Sequence, residues 1–156
     1  MNKVAKRDLG CDVDVRPVRA DDVPSIIELD KIETGQSKPQ YWRDLHAAFS
    51  KENAGSRAFL VAELDGRVVG FIAGEIRAFE FGAEPSGWIF GVTVDPKVRV
   101  QNVGTRLFDE ICRIFAQAGV EKVHTIIERN NHLVIAFFRS QGMMVGRYIQ
   151  MGKEIE

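Results

Sequence analysis

Residues Val92 to Leu107, reading VTVDPKVRVQNVGTRL, hold residue types that could do chemistry on a phosphate. An apolar run (Ile89, Phe90, Val92, Val94) stops at Asp95-Pro96 and gives way to a short basic loop carrying Lys97 and Arg99. Gly104 then stands at the mouth of an amphipathic helix. Backbone N–H groups in such a loop, and in the first turn of a helix, converge without an intrahelical partner. The helix dipole adds roughly half a positive charge at the same place. Together they suit a phosphate or pyrophosphate. The same spacing also fits an ordinary strand-to-helix connection that contains a glycine.

The stretch resembles the acyl-CoA loop of the GNAT superfamily of N-acetyltransferases, which reads Arg/Gln-x-x-Gly-x-Gly/Ala after a strand ending in Val-x-Pro. Arg99-Val100-Gln101-Asn102-Val103-Gly104 fills that frame behind Val94-Asp95-Pro96, with Asn102 where the first glycine is usual. Asn enters left-handed backbone more easily than most residues. A second GNAT-like pattern, Asn-x-x-Ala-x-x-Leu-Tyr-x-x-x-Gly-Phe, is matched in spacing from Asn131 through Val134, Phe137 and Phe138 to Gly142-Met143. The two motifs are independent and fall in the family's order.

The resemblance implies acetyl-CoA as co-substrate, bound where the fourth and fifth strands splay apart, with no metal. Backbone groups of Val92 and Val94 would pair with the pantetheine arm as an added strand. Val92, Thr93 and Val94, with Arg99, Val100, Gln101, Asn102, Val103, Gly104 and Thr105, would form the coenzyme site. Asn131 would touch the arm or the bound amine, and Phe138 would line the same site. The implied reaction is direct acetyl transfer in a ternary complex to a primary amine, a peptide N-terminus or a small amino compound.

Three family positions that usually handle protons are apolar here. Phe138 replaces the tyrosine that protonates the departing thiolate, Ile126 holds the usual base slot on the fifth strand, and Trp88 stands where relatives place a glutamate. These departures also suit a non-catalytic acyl-CoA-binding or sensor domain of the same fold. Strand alternation would put His124, Ile126 and Glu128 on one face. Glu128, toward Asn131, is the candidate catalytic base. A solvated carboxylate is the competing reading of Glu128, as it is for Glu75, Glu80 and Glu84, and His124 reads as structural or surface.

An amine must lose its proton before it attacks a thioester. At pH 7 this costs a lysine side chain about 4–5 kcal/mol and a peptide α-amine about 1–1.4 kcal/mol. Weak base machinery therefore favours amines of low pKa.

These residues require an α/β scaffold. Hydrophobic patterning gives the order β-α-α-β-β-β-α-β-α-β, a GNAT-like mixed sheet with helices on both faces. Strand-like runs cover Ala58 to Leu64, Val68 to Ile76 and Trp88 to Val94, with a hairpin at Asp65-Gly66. A helix from about Val103 to Ala118 would bury Val103, Leu107, Ile111, Ile114 and Ala118. Val123 to Glu128 and Met143 to Met151 read as the last strands, around a helix from Asn131 to Gln141. Residues 1–12 read as a flexible tail and 13–156 as one N-acetyltransferase domain.

The chain has 156 residues, 28% charged, with a net charge of −1. Nothing in this balance attracts nucleic acid or a membrane surface. No apolar run approaches the roughly 20 residues needed to span a bilayer, and no secretory leader is visible, so the expected location is cytoplasmic. Cys11 and Cys112 read as free thiols. His46, His124 and His132 show no metal-ligand spacing with them. A C-terminal strand at a sheet edge would suit a homodimer.

Overall fold

The computed structural model describes residues 12–50, 55–98 and 102–156. Arg99, Val100, Gln101 and Cys11 lie outside the described residues. The chain divides into two compact units, one ending at Ile126 and one spanning Ile127–Glu156.

The first unit holds β1 (Asp14–Pro17), α1 (Val23–Thr34), α2 (Pro39–Ser50), β2 (Arg57–Leu64), β3 (Arg67–Arg77), β4 (Ser86–Val94), α3 (Val103–Gln117) and β5 (Val123–Thr125). Its sheet runs in the order β1-β2-β3-β4-β5. The first three pairings are antiparallel and β4–β5 is parallel. Asp65 and Gly66 both take positive φ at the β2–β3 hairpin, at 51° and 76°. A tight turn of that hand matches the twist of its strands.

The strands alternate between two apolar layers, so helices cover both sheet faces, as the hydrophobic pattern predicts. On one face, Phe59, Val61, Phe71 and Ala73 pack with Val23, Ile26, Ile27 and Leu29 of α1 and Trp42 of α2. On the other lies α3. Its buried stripe is Val103, Leu107, Ile111 and Phe115, flanked by Phe108. This corrects the predicted stripe at its end. Ile114 is only half-buried and Ala118 is exposed, because Gly119, at φ 84°, already turns the chain away. The Val120 N–H reaches back to the Phe115 carbonyl at 3.2 Å and closes the helix.

The approach of α3 to the sheet depends on glycine. A Cβ at Gly87 would lie 2.3 Å from the Phe115 ring, and one at Gly74 would lie 2.7 Å from the Trp88 carbonyl oxygen. Removing those carbons lets the helix lie directly on β3 and β4.

In the second unit, α4 (His132–Ser140) is capped by Asn131, whose side chain accepts from the Val134 N–H at 3.2 Å. Gly142, at φ 85°, ends it. The strand expected over Met143–Met151 is not formed, so the described order ends β-α-β-α. Met144, Val145, Tyr148, Ile149 and Met151 are exposed. Alternating apolar residues make a strand only where a neighbouring ladder takes up their backbone groups, and among the described residues no strand pairs with these. Among the described residues, no helix is long and apolar enough to cross a membrane.

Candidate functional site

The site begins where β4 outruns its neighbour. β5 pairs with β4 only at Gly87↔Val123, Trp88↔His124 and Ile89↔Thr125. The Thr125 hydroxyl then donates to the Ile89 carbonyl at 2.9 Å and closes the ladder. From Phe90 to Val94, no β5 residue lies opposite β4.

The phase of the pleat decides what that edge presents. The Asp95 N–H donates to the Val69 carbonyl at 2.7 Å. Alternation then directs the backbone groups of Gly91 and Thr93 toward β3, and those of Val92 and Val94 toward the β5 side. A register shift between Ala73 and Gly74 leaves Phe90 as an extra residue on β4. Such a bulge re-aims the backbone where the two strands part.

Beyond Val94, the Asp95 carboxylate accepts from the Lys97 N–H at 2.9 Å, and the Asp95 carbonyl accepts from the Val98 N–H at 3.0 Å. Pro96 sits at the second position of this turn, where its fixed φ suits it. Asn102 takes the left-handed conformation, φ 57° and ψ 22°, immediately before α3. That is the geometry glycine supplies most easily. Its side chain makes no cap hydrogen bond. The Arg106 N–H, bonded to the Asn102 carbonyl at 3.0 Å, makes the first helical turn. Val103 packs against the position of Gly70, whose sheet partner is Val94. The positive end of α3 therefore abuts the C-terminal end of β4. These groups fit an extended coenzyme arm running along β4 toward a pyrophosphate at the helix.

Glu128 does not continue the alternation through His124 and Ile126, because β5 stops at Thr125. It is exposed, in a turn whose Asn131 N–H donates to the Glu128 carbonyl at 2.9 Å. The Asn131 side-chain oxygen is engaged as the cap of α4. Phe138 is 3% exposed on α4, and Ile126 is exposed.

Trp42 of α2 belongs to the core. Its indole N–H donates to the buried Asp30 carboxylate at 3.0 Å. The same carboxylate pairs with Lys38 at 3.0 Å. Phe49 stands at the rim of that core, edge-on to Phe59 and to Phe90 on β4.

Sequence reading missed a row of side chains crossing four strands. Arg57 is the sheet partner of Glu75, Glu75 of Trp88, and Trp88 of His124. The row lies on the face carrying α1 and α2, one pleat beyond Phe59 and Ala73. The His124 ring stands 5.1 Å from the indole of Trp88. The Arg77 guanidinium lies 5.0 Å from the centre of the same indole, and its Nε donates to Glu75 at 3.2 Å. Only the register brings these residues together, and a bulge interrupts it.

A sequence model described as the acetyltransferase (GNAT) family matches residues 23–143. An L-2,4-diaminobutyric acid acetyltransferase of Nocardia farcinica is 34% identical over 79 residues, 51% of this chain and 39% of the relative. A mycothiol acetyltransferase of Saccharomonospora viridis is 30% identical over 110 residues, 69% of this chain and 33% of the relative. The chain thus spans little more than a third of the length of these curated relatives. Among solved structures, an aminoglycoside 6'-N-acetyltransferase of Acinetobacter baumannii has a similar fold, with TM-score 0.77 and 15% identity over 93% of this chain and 100% of that one. An aminoglycoside N-acetyltransferase in complex with CoA gives TM-score 0.80 and 16% identity over 92% and 95%.

Proposed function

This chain belongs to the acetyltransferase (GNAT) family, and from that premise we propose that it transfers an acetyl group from acetyl-CoA to a primary amine, by direct transfer in a ternary complex. The acceptor is a peptide N-terminus or a small amino compound. The observation that carries the reading is the open edge of β4 beyond Ile89, ending at the N-terminus of α3.

Acetyl-CoA supplies the activated acyl group. Val92, Thr93 and Val94 form the strand along which its arm lies. Arg99, Val100, Gln101, Asn102, Val103, Gly104 and Thr105 hold the pyrophosphate, by charge and by backbone N–H groups. The backbone at Val92 polarises the thioester carbonyl and orients it for the amine. The family resemblance also assigns Asn131 and Phe138 to the coenzyme site, and residues 13–156 to one N-acetyltransferase domain. Glu128 takes the proton of the amine, directly or through one water. The departing thiolate collects a proton from solvent or from the substrate ammonium, so Phe138 does not prevent turnover.

Calorimetric titration with acetyl-CoA beside an Arg99→Glu variant tests the coenzyme site. Saturable binding that the variant weakens supports it, and no binding by folded protein removes it. Multiple-turnover release of coenzyme A thiol with amines separates an enzyme from a non-catalytic acyl-CoA sensor. The sensor reading is favoured by the apolar side chains at Trp88, Ile126 and Phe138. A Glu128→Gln variant that lowers the rate at neutral pH and flattens its alkaline rise supports Glu128 as base. An unchanged profile removes it.

A further inference from the structure

We propose that Arg77, held by Trp88 and Glu75, is a specificity-determining residue that binds a carboxylate on the acceptor. The substrate class is then an amine carrying a carboxylate several bonds from the reacting nitrogen. This rests on the acetyltransferase reading above.

Three observations carry it. The guanidinium is fixed on two sides, by the indole of Trp88 at 5.0 Å and by the Glu75 carboxylate on its Nε at 3.2 Å. Its two terminal nitrogens make no bond among the described residues, and the side chain is 34% exposed. A planar fork held in place with its outer edge open is the geometry that takes a carboxylate through two parallel hydrogen bonds.

Charge points the same way. The row holds two guanidiniums, Arg57 and Arg77, against the single carboxylate of Glu75. Arg57 is tied back, donating to the Ala48 carbonyl at 3.0 Å and lying over the Phe49 ring. These three side chains together are net positive, which favours an anionic group at the open edge of Arg77.

Position completes the argument. Trp88 precedes the bulged Phe90 by two residues, about 7 Å of strand, and the open β4 edge starts at Phe90. An acceptor seated on Arg77 thus has its carboxylate at least that far from Val92, at whose backbone the thioester carbonyl would lie. An amine and carboxylate on one carbon are too close together to span this. A short peptide with a free C-terminus or a diamino acid sets the two groups further apart.

The test uses matched acceptors. Alanyl-alanine is compared with its C-terminal amide, and 2,4-diaminobutyrate with 1,3-diaminopropane. Thiol release is followed at fixed saturating acetyl-CoA. The wild type should favour the carboxylate member of at least one pair by roughly 10- to 100-fold in kcat/KM, the range for a charge-assisted hydrogen-bonded pair. Which pair responds separates a peptide from a diamino acid. Arg77→Gln should bring the ratio close to one, chiefly through KM for the acceptor, while acetyl-CoA affinity by calorimetry stays within about twofold. Arg77→Lys should restore only part of the preference, because an ammonium cannot form the fork.

Titration of each pair onto enzyme saturated with coenzyme A reads the same subsite without turnover, through calorimetry. Equal binding of both members, or a preference that survives Arg77→Gln, overturns the proposal even if the coenzyme site is intact. Loss of acetyl-CoA binding by the wild type would instead strike the acetyltransferase reading. Tighter carboxylate binding without turnover would keep the subsite and favour a sensor.

Discussion

Asn102 offers the sharpest test of the proposed coenzyme loop. It sits at φ 57°, and its side chain makes no cap hydrogen bond. Its value to the fold is therefore conformational: it occupies a backbone region that costs an ordinary L-residue roughly 1–2 kcal/mol. Replacement by Val imposes that cost in one of two places. If the loop keeps its shape, global stability falls by about 1–2 kcal/mol, or roughly 2–8 °C in Tm for a chain of this size. If the loop relaxes, stability is retained and acetyl-CoA affinity drops by the same free energy, roughly 5- to 30-fold. The two losses together should come to about 1–2 kcal/mol. Asn102→Gly should keep both Tm and affinity, since glycine adopts this conformation without steric penalty. Thermal melts and calorimetric titration of the three proteins decide the matter. An Asn102→Val protein unchanged in both would refute the strain argument. An Asn102→Gly protein as impaired as the Val variant would show that the side chain acts by contact instead.

Gly87→Ala should lower stability by about 1–3 kcal/mol or more, because its new methyl meets the Phe115 ring at 2.3 Å. Phe115→Leu in the same chain should recover part of the loss in a denaturant titration. Asp30→Ala strands the buried Trp42 indole N–H without its acceptor and should cost about 1–3 kcal/mol, with a red-shifted tryptophan emission as the site loosens. Asp22 makes two bonds to Arg16, at 2.7 and 2.9 Å. This guanidinium holds the carboxyl below the usual carboxylate range. A depressed folded-state pKa gives stability that is present above the unfolded value near 3.9 and is lost as pH falls through the folded value. Wild-type stability should therefore decline with acid below about pH 4. Asp22→Asn should lose about 1–3 kcal/mol at neutral pH, since Arg16 keeps Glu63 at 2.7 Å, and show a shallower acid decline; equal declines in urea titrations at pH 3 and 7 would count against the pair.

Much of the scaffold was legible because its signals are local. Asp65-Gly66 marks a hairpin by turn chemistry. Gly119 and Gly142 end helices because they take φ 84° and 85°. The stripe from Val103 to Ile111 follows the period of a helix. Prediction failed where an element depends on a partner. Met143–Met151 alternates like a strand, yet among the described residues no strand pairs with it. The segment from Val123 to Glu128 is strand only to Thr125, so the alternation that placed Glu128 beside His124 stops short of it.

The sequence by itself determined the family, through two motifs of fixed spacing, and with it the ligand chemistry proposed for a strand, a turn and a helix N-terminus that are contiguous in the chain. Even the left-handed backbone at Asn102 was implied by a residue type that tolerates it. Tertiary structure decided which face and which neighbours each side chain meets. Arg57, Glu75, Trp88 and His124 come from four strands, and one extra residue at Phe90 sets which β4 side chains lie opposite β3. Register is a property of strand pairs, and a shift of one residue turns every side chain to the other face. No local signal along the chain carries that information.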